Sequence, residues 1–245
     1  MKNETFSIIM PAYNAEKTIE NSIQSVISQT YSNYRLYIVN DCSTDNTKEI
    51  LSKYSDNNKI VIINNEFNIG VAESRNRAIS LCNGPYIAFL DSDDLWEKEK
   101  LAKHLIYFKM GWDVVCSNYK TFNENNIIKY RKSPEIFSFD DLLKTCHIGN
   151  LTGTYNAKKL GKFYQKKIGH EDYLMWLTIL KKCDKAYCIQ QFLAKYRISN
   201  QSLSGNKYRA IKWQWNIYRN ELNLSLIKSI YYFFHYIFNA LRKRL

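Results

Sequence analysis

At 245 residues, with 45% hydrophobic and 15% aromatic residues, the chain has the size and composition of one α/β core with a short appendage; this excludes a disordered chain, a collagen-like chain and two full domains. A formal net charge of +12 favours polyanionic partners (nucleic acid, anionic headgroups or a phosphorylated substrate) without choosing among them. Cys42, Cys82, Cys116, Cys146, Cys183 and Cys188 stand apart, without a Cys-x-x-Cys pair and without histidines at ligand spacing, so the expectation is an intracellular chain with reduced thiols and no zinc site.

Through the first half, short β-rich runs alternate with helical stretches, the pattern of βαβ units on a mainly parallel sheet. Strands are predicted at Phe6 to Met10, Leu36 to Val39, Ile60 to Ile63 and Tyr86 to Leu90. Between them, Ala15 to Gln29, Thr44 to Tyr54 and Val71 to Leu81 carry apolar residues at helical spacing, as in Ile19, Ile23, Val26 and Ile27, and so flank the sheet. The second half reads as a helix from Glu97 to Met110 and a strand from Val114 to Tyr119, then a hairpin arm near Ile127 to Tyr130 and a short helix from Phe139 to Thr145. A helix from Glu171 to Lys182 follows, with extended segments through Tyr196.

The tail differs in kind. From Leu224 to Leu241 a stripe of Ile227, Ile230, Tyr231, Phe234, Phe238 and Leu241 follows helical spacing, broken by Lys228, His235 and Asn239, and ends near Arg242, Lys243 and Arg244. It is too short and interrupted to span a bilayer, and fits either a helix lying in an anionic headgroup region or one packed on the domain or a partner. The division expected is a domain over 1–205, with a nucleotide-binding half over 1–95 and an acceptor-binding half over 96–205, followed by a helical tail over 206–245.

Three strands end in polar or turn-forming residues: Pro11, Ala12, Tyr13 and Asn14; Asn40, Asp41, Cys42 and Ser43; and Asp91, Ser92, Asp93 and Asp94. In open α/β sheets the ligand crevice lies at the carboxyl ends of strands, so three segments converge on one site. Carboxylates as close as Asp91 and Asp93 raise one another's pKa unless a cation is present, and a hard divalent ion suits their oxygens; alternatively, Asp93 and Asp94 cap the helix that follows. Glu171 and Asp172, opening a helix, are candidate bases, or else only favour its N-terminus.

These pieces, with Glu16, Asn68-Ile69-Gly70-Val71-Ala72, Arg75-Asn76 and His170-Glu171-Asp172-Tyr173, resemble the inverting, GT-A fold glycosyltransferases called family two. The resemblance implies a Rossmann-like, mainly parallel sheet flanked by helices, with C-terminal amphipathic helices. It places Pro11, Ala12, Tyr13, Asp41, Arg75, Asp91, Ser92 and Asp93 in the donor site. Tyr13 stacks on the base, uracil in most relatives, and Asp41 accepts a hydrogen bond from it. Arg75 reaches base or phosphates, Asp91 holds the ribose side, and Asp93, with Asp91, ligates Mn²⁺ or Mg²⁺. Asp172 is the implied base, with Glu171 orienting the acceptor.

A polar segment from Tyr196 to Ser204 looks like the family's mobile closing loop, in which Arg197 pairs with phosphate. Asn40 and Cys42 depart from the usual Asp and Gly, and Cys42 argues against a positive φ in that turn. The expected partners are a UDP-sugar donor, a lipid-linked or oligosaccharide acceptor, and the cytoplasmic face of a membrane contacted through the tail. No recognition helix, zinc finger or RNP-like motif speaks for nucleic acid, and no segment specifies an oligomeric state. A noncatalytic nucleotide-sugar-binding scaffold and a metal-dependent nucleotidyltransferase are the alternatives, the latter lacking its glycine-rich loop after the first strand.

Overall fold

The computed structural model describes residues 4–123, 126–198 and 207–242. From Ser199 on, the expected closing segment lies outside the described residues, as do Lys243, Arg244 and the side chain of Arg242.

The first half alternates as its periodicity requires: β1 (Phe6–Ala12), α1 (Ile19–Ile27), β2 (Tyr34–Asn40), α2 (Thr47–Ser52), β3 (Ile60–Asn64), α3 (Val71–Leu81) and β4 (Tyr86–Phe89). β3, β2, β1 and β4 pair in that order, all parallel, with Ala12 level with Asn40 and Asn40 level with Asn64. Alternate residues of one strand enter opposite cores: Ile9 faces α3 and the later helices, whereas Ile8 and Met10 face α1. Both faces are covered, which is why these strands read as unbroken apolar runs.

The second half adds β5 (Leu95–Trp96), α4 (Lys100–Lys109), β6 (Val114–Asn123), β7 (Asn126–Arg131), β8 (Ile136–Ser138), α5 (Phe139–Lys144), β9 (Thr154–Asn156), α6 (Ala157–Leu160), α7 (Glu171–Cys183) and β10 (Lys185–Arg197). β9 joins antiparallel to β4 and to β6, and β10 runs parallel to β6 on its other side, so one sheet crosses both halves. The expected capping of the following helix by Asp93 and Asp94 is corrected: Leu95 and Trp96 first pair with Lys195 and Ala194 of β10. Glu99, not Asp93 or Asp94, is the residue at the start of α4. A backbone contact 100 residues away overrides local helix preference there.

α8 (Lys207–Asn216) leads through a π-helical turn (Ile217–Glu221) into α9 (Leu226–Arg242). α9 lies against α5: Tyr232 donates to Asp140, Asn239 donates to the Lys144 carbonyl, and Phe233 meets Trp215 of α8 edge-on. Its other face is bare, with Ile227 82% and Phe234 72% exposed and Ile230, Tyr231, Phe238 and Leu241 in the same stripe. Among the described residues no helix is long and apolar enough to cross a membrane.

Trp176 of α7 fills the core under β4 and β9, edge-on to Phe89 and Tyr155, with its indole donating to Asn150. Gly153 leaves room for it: a Cβ there would lie 2.3 Å from Trp176 Cζ2 and 2.8 Å from Ile148 Cγ2. Gly153→Ala is therefore expected to lose about 1–3 kcal/mol of stability by overpacking. Urea denaturation checks this, and an unchanged midpoint would contradict the packing described.

Candidate active site

The turns after β1 and β2 are sewn together. Asn14, at φ 47°, accepts through Oδ1 from the Thr44 amide at 2.8 Å, while its own amide donates to Ser43 Oγ. The Glu16 amide donates to Asp45 and the Asn46 amide donates back to Glu16, both at 3.0 Å. This lattice holds Tyr13 at the end of β1 with its ring 52% exposed, above the buried Pro11 and Ala12. The expectation for Cys42 is corrected: it sits at φ 58°. Asn40 Oδ1 draws in the Ser43 amide and the Cys42 thiol reaches the Glu66 carbonyl, so these neighbours hold a left-handed turn without glycine.

Asp41 is buried and already engaged. Its Oδ1 accepts from Asn65 Nδ2 at 2.7 Å and the Ile69 amide at 2.9 Å, and its Oδ2 accepts from the Gly70 amide at 2.8 Å. It thus fastens the start of α3, where Gly70 takes φ 90°, to the end of β2. Asn65, which the sequence did not single out, relays this to Ser74 and Arg77 of α3.

The acidic turn after β4 is gripped from two directions. From α3, buried Arg75 pairs with Asp91 at 2.6 Å and with Gln165 Oε1 at 3.0 Å. Burial works against its charge, but Asp91 first, then Asp172 and Glu171, hold the guanidinium above its ordinary pKa. From β10, the Arg197 amide donates to Asp94 Oδ1 at 2.8 Å, its Nε donates to the Asp93 carbonyl at 2.9 Å, and its guanidinium lies 4.5 Å over Phe122. Arg75 and Arg197, expected to meet donor phosphate, are thus both docked on the acidic turn. Asp94 is the contact residue the sequence reading left outside its site set, although it stood in the acidic run.

Burial, and after it Asp91, pushes the Asp93 carboxyl up to about 6, and burial with Asp93 and Asp91 raises Asp94 well above the usual carboxylate range. Asp94 Oδ2 is buried without a hydrogen-bond partner among the described residues. Such crowding is what a hard divalent cation at Asp93 relieves, so the donor set fits one. Among the described residues no three His, Cys, Asp or Glu side chains group around one cation position.

Glu171 and Asp172 open α7 after two consecutive left-handed residues, Gly169 at φ 76° and His170 at φ 51°. Trp213 of α8 packs so closely on Gly169 that a Cβ there would lie 2.3 Å from its ring, and it meets His170 edge-on. His170 Nε2 is buried and unpartnered among the described residues. Because Arg75 feels Asp91, Asp172 and Glu171 together, the acidic turn and the start of α7 face one centre of charge. Trp176 is core and Trp215 packs on α9, so these tryptophans, with Trp213, serve packing. Gln165, which meets Arg75, is held by reciprocal hydrogen bonds with Asn76 and gave no signal in the sequence.

Residues 7–167 match the family described as Glycosyl transferase family 2. WfgD of Escherichia coli, named a UDP-Glc:alpha-D-GlcNAc-diphosphoundecaprenol beta-1,3-glucosyltransferase, is 38% identical over 245 residues, covering 99% of this chain and 96% of its own. WfaP of the same organism, with the same activity in its name, is 34% identical over 98% of this chain and 95% of its own. In fold, the chain resembles S. aureus TarS 1-349 in complex with UDP-GlcNAc, with a TM-score of 0.72 and 22% identity over 88% of this chain and 67% of that one.

The carboxyl crowding sets a pH dependence. The folded pKa of Asp93, about 6, lies above its ordinary value of 3.8, and that of Asp94 is also raised, so the fold binds extra protons. Their contribution to stability is present below about pH 4 and is lost as pH rises through 6. Asp93→Asn should therefore stabilise the metal-free protein at pH 7 by on the order of 1–3 kcal/mol and flatten that fall. Urea midpoints between pH 4 and 7 measure it, and a variant less stable than the parent at pH 7 refutes the assignment.

Proposed function

The chain belongs to glycosyl transferase family 2, and on that premise we propose that it is an inverting hexosyltransferase moving a sugar from UDP to a polyprenyl-diphosphate-linked acceptor sugar in O-antigen or capsule assembly. The observation that carries this reading is the buried ion pair of Arg75 with Asp91 at 2.6 Å, placed where the carboxylates of Asp172 and Glu171 also act on the same guanidinium. The acceptor class follows the activities named for WfgD and WfaP.

Tyr13 offers its exposed ring to the uracil, beside the Pro11–Ala12 backbone, and Asp41 keeps one lone pair of Oδ2 for the base while its other bonds shape the pocket wall. Asp91, with Ser92, faces the ribose, and Asp93, beside Asp91, would hold Mn²⁺ or Mg²⁺. A bound cation supplies charge stabilisation for the departing diphosphate. Arg75 keeps Asp91 paired and aimed, while Arg197 fixes the backbone of the acidic turn. Asp172 takes the proton of the acceptor hydroxyl as its oxygen bonds to the anomeric carbon. The carbon–oxygen bond to UDP breaks on the opposite face, and its electron pair leaves with the phosphate. Glu171, about 100° around the helix, orients the acceptor.

The bare stripe of α9 fits a peripheral location on the cytoplasmic face of the cell membrane, where aromatic side chains enter the headgroup region and the net positive charge favours anionic lipid.

Asp172→Asn is expected to lower transfer at least a hundredfold and leave the UDP dissociation constant with Mn²⁺ within about twofold of the parent. Normal transfer by this variant removes the base assignment. Because Ile227 and Phe234 touch little of the domain, Ile227→Asp with Phe234→Asp should keep the melting temperature yet weaken sedimentation with phosphatidylglycerol vesicles at least tenfold. Undiminished sedimentation refutes the membrane role.

A further inference from the structure

Tyr119 of β6 stands opposite Arg131 of β7 across the antiparallel ladder, so both side chains leave the same face of the sheet. They line a cavity of ≈ 530 Å³, closed by Lys132 and Ser133 after β7 and by His147 and Gly149 in the loop after α5. Its walls are tied in place. The Ser133 amide donates to Asn118 Oδ1 at 2.9 Å, Ser133 Oγ donates to the His147 carbonyl at 2.8 Å, and Gln190 Nε2 donates to the Ser133 carbonyl at 3.1 Å. Glu135, the nearest acidic residue in sequence, is engaged by the Tyr187 hydroxyl.

Tyr119 is the partition between this cavity and the reaction site. Burial above all pushes its phenol up to about 12, and it feels Cys146 and Arg131 from the cavity but Asp94 and Asp172 from the other side. At that end Tyr119 meets Tyr196 edge-on, next to the Arg197 that docks on Asp94, so the cavity ends against the acidic turn with Asp172 within electrostatic reach. Its rim also leads to α9: the loop begins where α5 ends, and α5 is the helix on which α9 rests with its apolar stripe outward. A ligand lying here has one end toward Asp172 and the other toward the α9 side of the protein.

We propose that this cavity is the acceptor's diphosphate site, in which Arg131 and Lys132 bind the two phosphates of a lipid-linked sugar diphosphate while its sugar reaches past Tyr119 to Asp172. The proposal rests on the glycosyl-transfer reading above and adds the place and charge partners of the acceptor. Arg presents a fork matched to phosphate oxygens and Lys a mobile point charge, a pair suited to a diphosphate and of little use to a neutral glycan. The protein then treats its two diphosphates in opposite ways. The donor's lies against carboxylates and needs a cation between them, whereas the acceptor's lies against cationic side chains and needs none.

The test uses the full chain and a GlcNAc diphosphate carrying a short alkyl chain, beside the same sugar as a neutral alkyl glycoside. In Arg131→Gln with Lys132→Gln, KM for the diphosphate acceptor should rise tenfold or more. KM for the neutral acceptor, UDP affinity with Mn²⁺ and binding to phosphatidylglycerol vesicles should stay within twofold, and Arg131→Lys should recover part of the loss. Direct calorimetry of the diphosphate acceptor without donor should give the same loss, and wild-type binding should survive EDTA. Equal losses with both acceptors, no change in either, or a loss confined to UDP or vesicle binding overturns the proposal. If the wild type transfers to neither acceptor, the transferase reading fails, and the calorimetry still decides whether the cavity holds a diphosphate.

Discussion

Three carboxylates stand within four residues at the end of β4, and the protein holds them there with two arginines arriving from opposite halves of the chain. Left alone, such a cluster would protonate or spread apart. Arg75 offsets the charge of Asp91 by a short ion pair made deep in the fold, where removal of one partner leaves a costly unpaired charge. Arg197 prevents the second by fastening the backbone of the turn to the end of β10. What remains under electrostatic tension is the pair Asp93 and Asp94, both raised by burial and by their neighbours, with one oxygen of Asp94 unpartnered among the described residues. The fold thus concentrates unrelieved negative charge at one oxygen-rich point, which is the condition for attracting a cation together with a phosphate.

The rest of the architecture delivers those two arginines. α3 starts where it does because Asp41 accepts the Ile69 and Gly70 amides, and Arg75 follows on the next turn. β10 reaches Asp94 because it runs beside β6 for most of its length and then pairs with β5, immediately after the acidic turn. The start of α7 is set by left-handed backbone at Gly169 and His170, pressed from behind by Trp213. The acidic turn and the start of α7 are thus placed by separate elements, both within the field of Arg75.

Much of this was legible in the sequence where the signal is local. The four parallel strands were marked by apolar runs, their polar ends by turn residues, and α7 by its pattern from Glu171 onward. Contacts that join distant residues left no such mark. Gln165 reaches Arg75 across 90 residues, and Leu95 and Trp96 become a strand only because β10 passes beside them. Cys42 misled for a related reason: residue type alone disfavours φ 58°, but hydrogen bonds from the surrounding turn decide it. The tail offered two readings, a helix packed on the domain and one turned outward. Tyr232, Phe233 and Asn239 pack α9 on the domain, while Phe234 and Phe238 point away from it.

That two-faced attachment has a mechanical consequence. An anchor on a loose tether lets its cargo swivel, and the cargo's height above a surface follows tether length. α9 is instead bolted to both ends of α5 by hydrogen bonds and to α8 by the edge-on contact of Phe233 with Trp215. Whatever surface receives its outward stripe also dictates the tilt and elevation of the catalytic cleft, leaving docking and aiming as a single event.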